Sequence, residues 1–326
     1  MATSTHVVEV VPITLEPHPN ADSLSIVKVW GFTCCVNTAQ WAGIDKAAYI
    51  PPDSIVPDTE DYAFLRGHRR IRVKKLRGIV SMGLLMPAPE RAEIGEDVAE
   101  RMGIEHYEPE MHFAGLKMQS ECASPPSGFH PKYEVDNLRR YPGLFEDDEP
   151  VHISEKIHGA SARYVFQGSG ESGEMHVGSH TQWKKYDPDN LWWKALAAHP
   201  EVREWCEKNP GITVYAEVYG QVQKGFQYGV PQGEARIAVF DLLDGNIWMD
   251  VEQARDLSQQ LPWVPTVATI PYTYQWVCDL AEGMSLISGA NHIREGIVVR
   301  PMKERVHPRM GRVCLKLVSN AYLEMK

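Results

Sequence analysis

The apolar residues of this 326-residue chain come mostly in short runs rich in β-branched and aromatic side chains, each closed by Pro, Gly, Asn or Asp. Runs of that kind read as strands joined by turns. In the first part they occupy 6–13, 24–30 and 47–50, which predicts a small all-β unit. Further along they recur at 151–157, 162–166, 213–220, 236–243, 295–301 and 312–318, alternating with candidate helices at 189–208 and 251–260. Strands in this proportion to helices predict an α+β class with mostly antiparallel pairing. No internal repeat is visible.

A chain of this length usually divides into two cores, and 43% hydrophobic residues suffice for both. The Pro-, Ser- and Gly-rich stretch 121–132 has no hydrophobic period and is expected to be the linker. That gives domains at 1–120 and 133–326. No stretch is apolar for about 18 residues, and the N-terminus lacks a basic and an apolar leader region. A cytoplasmic protein without a membrane contact is expected. The six cysteines are scattered, with no Cys-x-x-Cys pair, and are expected to be reduced thiols. A net charge of −10 excludes a protein that coats nucleic acid through bulk charge, so polyanion contacts must come from a local patch. Arg66, Arg69, Arg70, Arg72, Lys74, Lys75 and Arg77 supply one without an intervening acid. Within it, alternation over 70–74 predicts a strand with Arg70, Arg72 and Lys74 on one face and Ile71 and Val73 on the other.

The chemistry centres on Glu155-Lys156-Ile157-His158-Gly159. Alone this is a lysine at a strand end. It is followed in order by Tyr215-Ala216-Glu217-Val218-Tyr219-Gly220, Val239-Phe240-Asp241, Arg294-Glu295-Gly296-Ile297-Val298-Val299-Arg300 and Leu315-Lys316-Leu317. Together these resemble the ordered motifs of the covalent nucleotidyltransferases, and most closely the ATP-dependent RNA ligases that carry an N-terminal OB domain. His18-Pro19-Asn20-Ala21-Asp22-Ser23-Leu24 and Ser81-Met82-Gly83-Leu84-Leu85 are similar to tRNA-binding domains of the OB type.

The resemblance implies an OB-type β-barrel followed by an antiparallel-sheet-rich nucleotidyltransferase domain. It also implies a monomeric enzyme that seals 3'-OH and 5'-phosphate RNA ends, in nicked duplexes or broken strands, through lysyl-AMP and RNA-adenylate. ATP and Mg2+ or Mn2+ are the implied cofactors. Lys156 would be the nucleophile, Glu217 and Glu295 metal and ribose contacts, Phe240 the adenine platform, and Lys316 a contact to the α-phosphate. Glu155, Ile157, Ser161, Arg163 and His180 complete the implied nucleotide set, and Arg70, Arg72 and Lys74 the RNA contacts.

A free lysine, with a pKa of about 10.4, is roughly one part in a thousand neutral near pH 7.4. Cations and burial around Lys156 are therefore expected to depress it. The chain departs from the family pattern in having a single lysine in the last motif, His180 where Arg is commoner, and His158 where DNA ligases and capping enzymes carry Asp. A DNA ligase, a capping guanylyltransferase and a catalytically silent RNA-binding protein are the alternatives.

Overall fold

The protein is described by a computed structural model in which residues 6–107, 113, 115–222, 225–308 and 310–325 are defined. The chain divides into two compact units, one of Met1–Glu110, Asp136–Leu144 and Asn320–Lys326, the other of Met111–Val135 and Phe145–Ser319.

In the first unit the Lys46–Ile50 strand lies antiparallel between Glu9–Pro12 and Leu84–Pro87. Alternation sends Ala47 and Tyr49 into a core with Val11, Val27, Phe32 and Leu85, and sends Ala48 and Ile50 into a second core with Val10, Val56, Tyr62 and Val98. A sheet covered on both faces explains why these runs are continuously apolar. Leu24–Val29 pairs with Glu16–Pro17 and Phe32–Asn37.

A hairpin joins Lys74–Leu76 to Ile79–Ser81 through Arg77 (φ 47°) and Gly78 (φ 90°). Two left-handed residues match the right-handed twist of the flanking strands. His18 Nε2 lies 3.2 Å from Leu76 O, and Asn20 Nδ2 donates to Arg77 O at 2.9 Å. The His18–Leu24 signature thus holds this turn.

The strand predicted over 70–74 differs from what is found. Arg70 makes one bridge with Ile55, and a strand opens only at Lys74. Ile71 enters the second core and Val73 the first, so the segment passes from one core to the other instead of keeping one buried face.

Besides the short Val306–His307 and Gly311–Arg312 pair, the described residues of the second unit form two larger antiparallel sheets. One runs Trp183–Lys184, Glu174–Ser179, Ala160–Gln167, Ile212–Gly220, Ala235–Asp244, Ile247–Trp248. The other includes, in order, Leu315–Val318, Gly296–Pro301, Pro150–Lys156 and Thr266–Pro271. Ala160, Ala162, Tyr164 and Phe166 point from the first sheet into a core with Val214, Ala216, Val218 and the helices Leu191–Ala197 and Pro200–Lys208. By alternation Ser161, Arg163 and Glu217 occupy the opposite face. The single helix expected over 189–208 is two, because Pro200 opens the second and His199 before it is forced out of helical geometry (φ −129°, ψ 68°).

The 121–132 stretch, expected as a linker, lies along this second unit. Cys122 bridges Lys184, Ala123 N–H donates to Trp183 O at 3.0 Å, and His130 Nδ1 is 2.7 Å from Thr213 Oγ1. Cys34, Cys35, Cys122, Cys206 and Cys314 are free thiols. Among the described residues no helix is long and apolar enough to cross a membrane.

Candidate active site

Lys156 ends the Pro150–Lys156 strand, opposite Gly296. The chain then crosses through Ile157-His158-Gly159 into Ala160–Gln167 of the other sheet. Gly159 must be glycine, since a Cβ there would lie 2.3 Å from Val218 O and 2.9 Å from Glu217 Cγ. This tight crossing brings the end of one sheet against Glu217, which pairs with Ser161 in the other.

Glu295 sits just before the Gly296–Pro301 strand and takes a bond on each oxygen. Lys156 Nζ donates to Oε1 at 2.8 Å, and His158 Nδ1 is 3.1 Å from Oε2. A carboxylate only accepts, so Nδ1 of His158 carries the proton. The His158 backbone N–H donates to Tyr228 Oη at 2.8 Å.

The three charges perturb one another. Burial alone would raise Glu295, but the Lys156 ammonium and the bonds from His158 and Lys156 hold it at about 2. Burial pushes Glu217 up to about 8, against the pull of Lys156 and with the added push of Glu295. Burial also disfavours the Lys156 charge, yet Glu295 and Glu217 outweigh it and hold the ammonium above its usual range. The expectation that Lys156 is depressed is corrected here. The chain surrounds it with two carboxylates, and the opposite charges stabilise the protonated amine.

Lys316 shares the Lys156 face of its sheet, because Val298 pairs with both Ser154 and Lys316. Phe240 is the extra residue of a bulge, with Asp241 opposite Tyr215 and Val239 opposite Ala216. Its ring is half-buried and meets Tyr133 at 4.7 Å between centroids. Ile157 is buried, and Ser161 faces the same side as Glu217. Arg163 is buried beneath Trp183 at 4.5 Å, with Nε donating to Ser179 O and Nη1 to His130 O. His180 lies 3.3 Å from a Glu134 oxygen. Glu155 points to the other face of its strand and is 1% exposed. Its two oxygens accept from Ser285 Oγ and the Leu286 N–H, both at 2.6 Å.

In the first unit Arg70 is 2.6 Å from Asp53 and stacks on Tyr107 at 3.8 Å, whereas Arg72 and Lys74 are exposed.

Sequence reasoning missed a cluster around the fully buried Asp241. Asp241 Oδ2 accepts from Tyr133 Oη at 2.7 Å and is ion-paired with Arg300 at 2.6 Å and Arg312 at 2.7 Å. It ties the two sheets together beside Phe240. An aspartate inside an apolar run was the available signal; nothing local marks Tyr133 or Arg312. Among the described residues no three His, Cys, Asp or Glu side chains converge as a metal-binding group.

Residues 149–318 match the model of the RNA ligase family, and residues 4–88 match that of an OB-fold domain. The first unit's sheets therefore belong to an OB fold. No curated protein sequence matches the chain. Among solved structures, a mutant of Naegleria gruberi RNA ligase in its apo form is 21% identical, with a TM-score of 0.83 and 99% coverage of both chains. A mutant of that enzyme with AMP and Mn has a TM-score of 0.82 at 21% identity, covering 98% of this chain and 99% of that one. Another, with ATP and Mn, has a TM-score of 0.81 at 20% identity and the same coverage.

Proposed function

Since this chain belongs to the RNA ligase family, we propose that it seals RNA 3'-OH and 5'-phosphate ends using ATP and a divalent cation, Mg2+ or Mn2+. The observation that carries the mechanism is the Lys156–Glu295 contact of 2.8 Å at the crossing between the sheets, with Glu217 beside it. Lys156 attacks the α-phosphorus of ATP, pyrophosphate leaves, and AMP stays on Nζ. AMP then passes to the RNA 5'-phosphate and is displaced by the 3'-hydroxyl.

The first step requires an uncharged Nζ. Near neutral pH the ionised Glu295 is the group that keeps it charged, so drawing that carboxylate's negative charge toward another cation would lower the Nζ pKa and let its proton pass to water. Two carboxylates too few to enclose a metal by themselves suit Mg2+ or Mn2+, which complete their shells with phosphate oxygens and water. Bound there, the cation would neutralise phosphate charge. Glu217 and Glu295 would hold it, and Lys316, on the Lys156 face, would steady the charge that builds on the α-phosphate. Phe240 offers a ring to adenine. Arg72 and Lys74 offer charge to RNA. Cytoplasmic, monomeric action completes the reading.

The test is incubation with α-labelled ATP, or with GTP, followed by denaturing electrophoresis. Acid-stable label is expected from ATP alone, and none on Lys156→Ala. Label that persists on Lys156→Ala, or comes from GTP, overturns the assignment.

A further inference from the structure

Glu155 and Lys156 are neighbours in sequence and project to opposite faces of one strand, yet both grip the same segment. That segment leaves the helix Tyr274–Ala281 and returns at Glu295 into the Gly296–Pro301 strand. Its base is zipped by Arg294 N–H to Gly283 O at 2.9 Å, Ser285 N–H to His292 O at 3.0 Å, and a bridge between Met284 and Ile293. Glu155 holds the outgoing arm through Ser285 and Leu286, and Lys156 and His158 hold the returning arm through Glu295.

Glu155 is almost wholly buried, and both its oxygens are engaged by that arm at 2.6 Å. Charge-assisted bonds of this length are stiff. A carboxylate removed from water is costly unless its bonds are kept, so the arm is held where Glu155 requires it.

We propose that Glu155 is a positioning residue, which fixes the 283–295 segment and thereby sets Glu295 against Lys156, instead of touching the nucleotide. The proposal rests on the nucleotidyl-transfer reading above.

The experiment uses the full-length protein and single-turnover labelling from α-labelled ATP at saturating Mn2+, with ATP varied. Glu155→Gln removes the charge and replaces one of the two accepting oxygens by an NH2 donor, and Ser285→Ala removes the Ser285 bond. Each should lower the maximal labelling rate by about tenfold or more, the scale set by small misplacements of catalytic groups. The half-saturating ATP concentration should stay unchanged. In a Glu295→Gln background, Glu155→Gln should add no further loss.

The proposal is overturned if Glu155→Gln raises the half-saturating ATP concentration at an unchanged maximal rate. It is also overturned if Ser285→Ala behaves as wild type, or if the Glu155→Gln and Glu295→Gln losses multiply. Should Glu155→Gln fail to fold, the milder Ser285→Ala decides. Should the wild-type protein take no label, the nucleotidyl-transfer reading fails, and amide exchange then judges the clamp by itself. Faster exchange over 285–295 in Ser285→Ala is the expected result, and unchanged exchange overturns the clamp.

Discussion

Glu217 carries the most unusual protonation in the site, and its consequence for pH is calculable. Its folded pKa of about 8, raised first by burial, lies above the ordinary 4.5, so the folded state holds the proton more tightly. Stability from this source is complete below the unfolded value and is lost as pH rises through the folded one. Glu217→Gln stays neutral throughout. Its melting temperature should match wild type near pH 5 and exceed it by a few degrees above about pH 8. A difference that does not vary with pH would overturn the assignment. Glu295 does not interfere, because its value of about 2 places its own loss of stability below the 4.5 it would have when unfolded. Lys156, Glu217 and Glu295 were legible in the sequence because their motifs come in a fixed order. The direction of the Lys156 shift was not, since it depends on two carboxylates that are 61 and 139 positions away in sequence and are brought close by strand register.

At the level of elements, alternation served where a strand buries one face and failed where it does not. Ala160–Gln167 and Ile212–Gly220 keep one face on the helices. Ile71 and Val73 divide between two cores, which no period-2 pattern can signal. The cationic stretch 66–77 is affected directly. Arg70 is committed to Asp53 and Tyr107, so changing it would mix folding with binding. Arg72 and Lys74 are the more exposed probes. Arg72→Glu together with Lys74→Glu should leave labelling from ATP intact and weaken RNA binding. The slope of log affinity against log salt should fall by about 1.4 for single-stranded RNA, the value for two lost phosphate contacts. An unchanged slope would remove these residues from the RNA surface.

At the scale of the molecule, composition pointed to a boundary at 121–132, because Pro, Ser and Gly without a hydrophobic period are what linkers share. Extended segments pinned through their backbone share it too. The Ala123 N–H meets Trp183 O, and the His130 carbonyl accepts from the buried Arg163. Two fragments should therefore differ. Residues 113–326 keep these bonds, whereas 132–326 leaves Arg163 with an unmet donor, at a cost of about 1–3 kcal/mol. Urea denaturation should show the shorter fragment less stable by at least that much, and equal midpoints would contradict the account. Asp136–Leu144 is present in both, so it does not confuse the comparison.

The first unit is assembled from three stretches of sequence, Met1–Glu110, Asp136–Leu144 and Asn320–Lys326, and this sets a timetable for synthesis. Nascent chains usually complete domains from the N-terminus onward, at about 5–20 residues per second. Here the stretch that ends at Glu110, once made, must wait for the segment at 320–325, about 10 to 40 seconds at that pace. The second unit, whose segments end at Ser319, is fully synthesised first. The Met1–Glu110 stretch therefore spends that interval without its last piece, and what keeps its apolar strands from neighbouring chains meanwhile is the pair of cores drawn from its own residues 8–104.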